Sequence, residues 1–328
     1  YKRQGNYNEL HGIYGYFLKG FMNACDYLAS GSKYEILSAV KNGDLYTFDS
    51  LRKTQLIASK TKGSSFLIAP TGSGKTEASF LWADNNQTDN FSKRIFYVLP
   101  FTASINAMYN RLVKDLGSDE LVGISHGKAS YFIYKSVESG DYDESNLETK
   151  RIQNLTKKIY RPYKILTPFQ LIKFFFGVKG FEMGLSELTN SLLILDEIHA
   201  YDARVTCLLL ESLKILKSKF GVDIFIMSAT LPSFLKNLFS KELDISNFIS
   251  LDSKELDSFT RHKVNIINNC IENCCDKILN DINSGKKVLI VCNTVDKAQF
   301  IYEWFKENDV DNSALLHSCL LYTSDAAD

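Results

Sequence analysis

Lys75 and Thr76 close a turn that carries Gly72 and Gly74, and Asp196 with Glu197 closes an apolar run further along the chain. A cation, a hydroxyl and two carboxylates are the groups that nucleotide phosphate chemistry requires. In Pro70-Thr71-Gly72-Ser73-Gly74-Lys75-Thr76 the glycines let successive N–H groups turn inward, and the start of the following helix adds positive potential. Lys75 can then reach the β and γ phosphates of ATP, and Thr76 can ligate Mg2+. Mg2+ prefers carboxylates with retained waters, so Asp196 can hold it beside Thr76, while Glu197 can orient or deprotonate the attacking water. His199 follows two residues later. Ser228 and Thr230 end another apolar run, from which they can sense the γ-phosphate and pass its state to a neighbouring domain. The bland alternatives are an ordinary strand-to-helix turn at 70–76 and a helix cap at Ser228-Ala229-Thr230.

These side chains need a scaffold that brings distant segments together. Residues 66–69, 94–99, 163–166, 191–195 and 223–227 are short apolar runs of the kind that form strands buried on both faces. Between them, 77–83, 105–112 and 169–176 have helical spacing or good helix formers. Alternation of strand and helix predicts an α/β fold with a parallel sheet, whose ligands gather at the carboxyl ends of the strands. Pro100, Phe101, Thr102 and Ser104 lie at such an end, where the two hydroxyls either meet phosphate oxygens or cap the next helix. Gln55, about twenty residues ahead of the glycine turn, has an amide that either reads adenine or faces water. Aromatic and apolar residues at helical spacing predict a helix over 10–30.

The chain of 328 residues is 45% hydrophobic and 23% charged, enough to bury about two cores. Lys plus Arg and Asp plus Glu both number 38, so any nucleic-acid surface must be local. Seven cysteines at irregular positions, with no secretory leader and no apolar run near 18 residues, point to a reducing cytoplasm and no membrane partner. Cys270, Cys274 and Cys275 are read as free thiols rather than metal ligands. Residues 138–148 are acidic and turn-rich and are expected to be a solvated loop. Lys157, Lys158, Arg161 and Lys164, interleaved with Tyr160 and Tyr163, form either a track for a nucleic-acid backbone or, preferred, a solvated basic face.

Ala-Pro-Thr-Gly-Ser-Gly-Lys-Thr, Asp-Glu-Ile-His and Ser-Ala-Thr, in this order and spacing, resemble motifs I, II and III of superfamily 2 helicases. Ala69, where the strict phosphate-loop pattern has glycine, fits the variant used by such motors. The run Asp196-Glu197-Ile198-His199-Ala200-Tyr201-Asp202 resembles more narrowly the signature of the CRISPR-associated helicase-nucleases of type I interference. Residues 99–108 look like that family's motif Ia, Thr167-Pro168 like the DNA-contacting motif after it, and Arg52 with Gln55 like its adenine-side motif. The resemblance implies an ATP-dependent helicase that moves 3′ to 5′ on single-stranded DNA handed over by an RNA-guided CRISPR surveillance complex. A DEAD-type RNA helicase, or a nucleotide-dependent clamp that does not unwind, are the alternatives.

It also implies tandem RecA-like lobes with parallel sheets, the first complete and the second truncated. Residues 1–44 are expected to be a helical remnant of an upstream HD-type domain, 45–245 the first lobe, 246–262 a linker and 263–328 part of the second lobe. The family carries an HD nuclease, but no His-Asp pair occurs in this sequence. Asp26 falls where the family has its last metal-binding aspartate, a vestige of that site which cannot hold metal alone. In the second lobe, 287–292 reads as a buried strand and 298–305 as an amphipathic helix. Leu315-Leu316-His317-Ser318 looks like the family's next motif. The pattern breaks after it, so 319–328 are read as non-native, and with motifs V and VI lacking the chain is expected to hydrolyse ATP poorly.

Overall fold

The computed structural model describes residues 9–40, 50–88, 92–137, 142–260, 263–310 and 312–317. The chain divides into two compact units, Tyr1–Thr260 and Arg261–Asp328.

Among the described residues the first unit forms seven parallel strands: β1 (Ser65–Ile68), β2 (Ile95–Val98), β3 (Val122–Ser125), β4 (Tyr163–Leu166), β5 (Leu192–Asp196), β6 (Asp223–Ser228) and β7 (Asn247–Ser250). Their order in the sheet is β3-β4-β2-β5-β6-β1-β7. Parallel neighbours require crossovers, and these are helices. The helices of this unit are α1 (Glu9–Ser30), α2 (Lys53–Ala58), α3 (Lys75–Asn85), α4 (Thr102–Leu116), α5 (Ala129–Val137), α6 (Tyr142–Thr156), α7 (Pro168–Ile172), α8 (Phe181–Leu188), α9 (Ala203–Phe220), α10 (Ser233–Glu242) and α11 (Ser253–Ser258), of which α3 to α10 are the crossovers.

Strand side chains alternate between two cores. Leu67, Ile95, Tyr97, Ile194 and Phe225 meet Phe80 and Trp82 of α3, Ile105 and Leu112 of α4, and Ile133 of α5. Phe66, Phe96, Val98, Leu195 and Ile226 meet Leu171 of α7, Leu185 of α8, Leu209 and Leu213 of α9, and Phe239 of α10. A sheet covered on both faces explains why the strands read as unbroken apolar runs rather than alternating ones. Trp82 is fully buried, and its indole N–H donates to the Gly63 carbonyl at 2.9 Å, as a buried indole requires.

Several expectations need correction. Part of the segment 246–262 expected as a linker is strand β7, which pairs with β1 from Ser65↔Asn247 to Ile68↔Ser250. Only Ile249 is buried there, while Phe248 stacks on Phe66 at 5.2 Å, so an edge strand had the polarity of a linker. The acidic stretch expected as a loop enters α6 at Tyr142, because Thr149, Ile152 and Thr156 give it a buried stripe at helical spacing. Arg161, Lys164, Tyr160 and Tyr163 form no basic face, since all four are buried. Arg161 donates to the carbonyls of Asp119 and Val122, and Lys164 pairs with Glu187 at 2.6 Å. The apolar run 169–176 is split between α7 and a 3-10 turn at Lys173–Phe176.

Helix α1 forms as expected and packs on α8. Gly20 lies so close to Glu182 and Ser186 that a Cβ there would meet the Glu182 carbonyl oxygen at 2.4 Å. Ala24 and Leu28 are buried, and Phe17 meets Phe220 edge-on at 5.3 Å. No described helix is long and apolar enough to cross a membrane.

The second unit contains a 3-10 turn (Ile271–Cys274), α12 (Cys275–Asn283) and α13 (Val295–Glu307) around a small core of Cys275, Ile301 and Phe305. The expected amphipathic helix is α13, with the Thr294 hydroxyl accepting from the Lys297 N–H at its start. The expected strand at 287–292 has no ladder partner among the described residues, and Leu289 and Val291 are 87% and 79% exposed. Strand backbone is stable only when its N–H and C=O groups pair with neighbours, and no described strand of this unit supplies them. Residues 319–328 lie outside the described residues.

Candidate nucleotide site

The carboxyl ends of β1, β5 and β6 lie side by side in the sheet, and the sequence places a polar motif immediately after each. Ala69, where β1 ends, donates its N–H to the Ser228 carbonyl at 3.2 Å, which ties the glycine turn to β6. Gly72 and Gly74 then take φ of 80° and 83°, a region that side chains with a Cβ rarely occupy. At Gly74 a Cβ would also lie 2.4 Å from the Gln55 side-chain nitrogen, so a larger residue would push Gln55 away from the turn. Helix α3 begins at Lys75, and its unpaired N–H groups therefore open into the turn.

A cavity of about 560 Å³ sits here, lined by Ser50, Arg52, Gln55, Thr71, Gly72, Gly74, Lys75, Thr76, Glu77, Arg111, Asp196 and Glu197. The volume suits a nucleotide-sized ligand. Lys75 Nζ donates to the Ala69 and Pro70 carbonyls at 3.1 and 3.3 Å. An ammonium has three donors, so one remains beyond these two bonds. Arg52 donates to the Gly72 carbonyl at 2.5 Å, and its own N–H is accepted by Gln55 Oε1 at 2.9 Å. Gln55 Nε2 reaches the Gly74 carbonyl at 3.4 Å. Gln55 is thus buried against the turn rather than facing water, while Arg52 lies exposed at its rim. Ser73 is buried with its hydroxyl unpartnered, and Thr71 is exposed.

Asp196 ends β5. One carboxylate oxygen, Oδ2, accepts from the Tyr97 hydroxyl at 3.1 Å, while Oδ1 is buried with no hydrogen-bond partner. Burial first, and the neighbouring Glu197 charge second, push its pKa to about 6. A buried carboxylate oxygen without a donor is a costly arrangement that a hard cation would relieve. Asp196 with the Thr76 hydroxyl therefore fits Mg2+. Glu197 stands in the left-handed region at φ 52°, a strained conformation for a residue with a side chain, fastened by its N–H to the Met227 carbonyl at 3.2 Å.

His199 Nδ1 is 2.9 Å from Ser228 Oγ and 3.4 Å from Glu197 Oε2. The Ser228 hydroxyl donates to the Thr230 carbonyl at 2.8 Å, so it accepts from His199, which assigns the imidazole proton to Nδ1. Thr230 enters this relay through its carbonyl, and its side chain is exposed. Asp202, inside the acidic signature, caps α9 by accepting from the Val205 N–H at 2.9 Å.

The two segments expected to meet nucleic acid leave the sheet together, because Val98 of β2 pairs with Leu166 of β4. Phe101 and Thr102 are exposed, with Pro100 and Ser104 partly so, but Thr167 and Pro168 are buried. Unforeseen beside them is His126, whose Nε2–H donates to Asn106 Oδ1 at 2.9 Å while Nδ1 accepts from the Lys128 N–H at 3.2 Å. Burial lowers its pKa and keeps the ring neutral. Asp26 is exposed on α1, and no group of three or more metal-ligating side chains forms among the described residues.

Two further contributors went unnoticed in the sequence. Tyr97 lay inside an apolar run and carried no signal beyond its hydroxyl. Arg111, which pairs with Glu77 at the cavity, sat on the polar side of a helix read only for its apolar residues.

The family model for DEAD/DEAH box helicases matches residues 52–238, more than half of the chain. A protein of Methanocaldococcus jannaschii that bears the name Cas3 is 32% identical over 263 residues, covering 78% of this chain and 35% of that protein. The CRISPR-associated endonuclease/helicase Cas3 of Escherichia coli is 26% identical over 287 residues, covering 75% of this chain and 32% of its own length. The chain thus spans about a third of these relatives. The crystal structure of T. fusca Cas3 with AMPPNP shares the fold, with a TM-score of 0.63 at 19% identity over 86% of this chain and 38% of that one. The matched residues take in every strand end that lines the cavity, and the chain belongs to the DEAD/DEAH box helicase family.

Proposed function

We propose that this chain carries the ATP-hydrolysing lobe of a helicase that acts in CRISPR interference. It would move along single-stranded DNA delivered by an RNA-guided surveillance complex. The observation that carries the reading is the cavity where Lys75, Thr76, Asp196 and Glu197 converge, with the unpartnered Asp196 oxygen inside the protein. The similarity to proteins named CRISPR-associated nuclease/helicase supports the cellular setting. In this reading α1 belongs to the end of an upstream domain, the first unit is a RecA-like lobe, and the second unit contributes to another lobe.

Mg2+ held by Thr76 and Asp196 would neutralise charge on the β and γ phosphates. Everything else falls to the chain itself. The α3 N-terminus and the N–H groups of the turn cradle the phosphates, and Lys75 exchanges its carbonyl partners for phosphate oxygens. Gln55 and Arg52, already fastened to the turn, stand on the adenine side. Glu197 takes a proton from the attacking water as oxygen bonds to the γ-phosphorus, and the bond to the leaving ADP oxygen breaks. The chain from Glu197 through His199 to Ser228 and Thr230 then feels the change at the γ-phosphate, since His199 touches both. Pro100, Phe101, Thr102 and Ser104 would meet the DNA backbone through side chains, and Thr167-Pro168 only through main chain.

The test is Lys75→Ala. Loss of a charge-assisted contact to phosphate costs about 2 to 3 kcal/mol, roughly 30- to 150-fold in affinity. Titration with a fluorescent ATP analogue should show that loss, and unchanged affinity would remove the assignment.

A further inference from the structure

We propose that Tyr97 is a positioning residue of the nucleotide site, its hydroxyl fixing the Asp196 carboxylate at the end of β5 so that one carboxylate oxygen is left for Mg2+. The inference rests on the nucleotide-site reading above. In the sequence Tyr97 is one residue of an apolar strand, and in the structure it is 1% exposed among apolar neighbours, where a phenylalanine would pack as well. The hydroxyl is what needs explaining.

Strand register supplies the geometry. Tyr97 pairs with Ile194, and Asp196 lies two residues beyond, on the same face of the adjoining strand. Such diagonal neighbours are within reach of a long aromatic side chain. The ring runs along Phe80 of α3, with centroids 5.9 Å apart and planes at 24°, and so extends from the sheet toward the helix that Lys75 and Thr76 begin. Its hydroxyl donates to Asp196 Oδ2 at 3.1 Å. Burial drives the phenol well above its ordinary value, which keeps it a neutral donor.

One consequence follows for the carboxylate. With Oδ2 held by a rigid donor, Asp196 cannot rotate freely, and Oδ1 is the oxygen left over, buried and unpartnered. One tyrosine on β2 thus orients the acceptor at the end of β5.

Tyr97→Phe removes the hydroxyl and keeps the ring. The measurement is affinity for a fluorescent ATP analogue with excess Mg2+ and again with EDTA, together with the melting temperature in EDTA. The ratio of the two affinities isolates the Mg2+ contribution. It should fall about tenfold in Tyr97→Phe, the scale of one hydrogen bond to a charged group, while affinity in EDTA stays within about twofold. Tyr163→Phe is the control for losing a buried phenol, since its hydroxyl serves the Val40 backbone, and its ratio should match wild type. In an Asp196→Asn background, Tyr97→Phe should change the ratio no further, because the two act as one unit.

Equal weakening with and without Mg2+, or an equal fall in Tyr163→Phe, would overturn the positioning role while leaving the nucleotide site standing. Wild-type protein that gains nothing from Mg2+ would overturn the nucleotide-site reading and the role of Tyr97 with it.

Discussion

Asp196→Asn should stabilise the metal-free chain and abolish its use of Mg2+, two effects of opposite sign from one carboxylate. Burial and the Glu197 charge carry the Asp196 pKa from its ordinary 3.8 to about 6. A carboxyl whose pKa is higher folded than unfolded binds its proton more tightly in the folded state. Folding stability therefore falls as pH rises from about 4 to about 6 and stays at the lower level above that. Roughly two pH units at about 1.36 kcal/mol each give ~3 kcal/mol held against the fold at pH 8. Asparagine keeps an acceptor for Tyr97 but leaves a buried amide to satisfy, at a cost of about 1 kcal/mol. The expected net gain is ~1 to 2 kcal/mol, or about 2 to 8 °C for a unit of this size. Melting in EDTA at pH 8 and pH 4 reads it out, with the gain present at pH 8 and absent at pH 4. With Mg2+ and ATP the order reverses, since wild type alone is stabilised by the bound complex, by ~2.7 kcal/mol at a hundred times the dissociation constant. A variant that melts lower than wild type at pH 8 in EDTA would refute the argument that the ionised carboxylate is strained by burial.

Nucleic-acid binding at Phe101, Thr102 and Ser104 should weaken steeply with salt and care little for base sequence, which filter binding of matched oligomers measures. Clear preference for RNA over DNA would favour an RNA helicase instead. Residues 287–305 should exchange amide hydrogens much faster than 66–83, because the exposed run at 287–292 has no ladder among the described residues, whereas β1 is paired on both sides. Comparable protection in the two segments, read by mass spectrometry, would mean that the second unit is firmly folded in solution.

What the sequence disclosed about the fold depended on how deeply each element is buried. Residues of β1, β2, β5 and β6 are covered on both faces, so nothing polar interrupts them and their runs stood out. β3 and β7 lie at the two edges of the sheet. β7 buries Ile249 alone and blends with the polar residues around it, and β3, with Gly123 pressed against Thr156 and Arg161, has side chains too small to announce it. Interior charges misled in the other direction. Arg161 and Lys164 count as basic surface in any composition-based reading, and only the Asp119 and Val122 carbonyls and the Glu187 carboxylate, from other segments, make their burial tolerable.

The candidate site was legible where chemistry fixes residue type and spacing locally. Gly72, Gly74, Lys75 and Thr76 must follow one strand at set offsets, because a turn with left-handed glycines and a helix N-terminus is built from consecutive residues. Asp196 and Glu197 must likewise end a strand. What joins the two halves has no such local rule. Tyr97 reaches Asp196 only because β2 and β5 are neighbours in register, and Arg111 reaches Glu77 only because α4 crosses near α3. A sequence carries no mark for a contact that depends on which strands lie side by side. Two tyrosines on adjacent strands make the point: Tyr97 pairs with Ile165, and Ile95 with Tyr163. Both are buried strand tyrosines two residues apart in register, yet one hydroxyl ends on a backbone amide far from the cavity and the other on the carboxylate at its centre. The difference lies in the third strand, β5, which ends in an acid where Tyr97 can touch it.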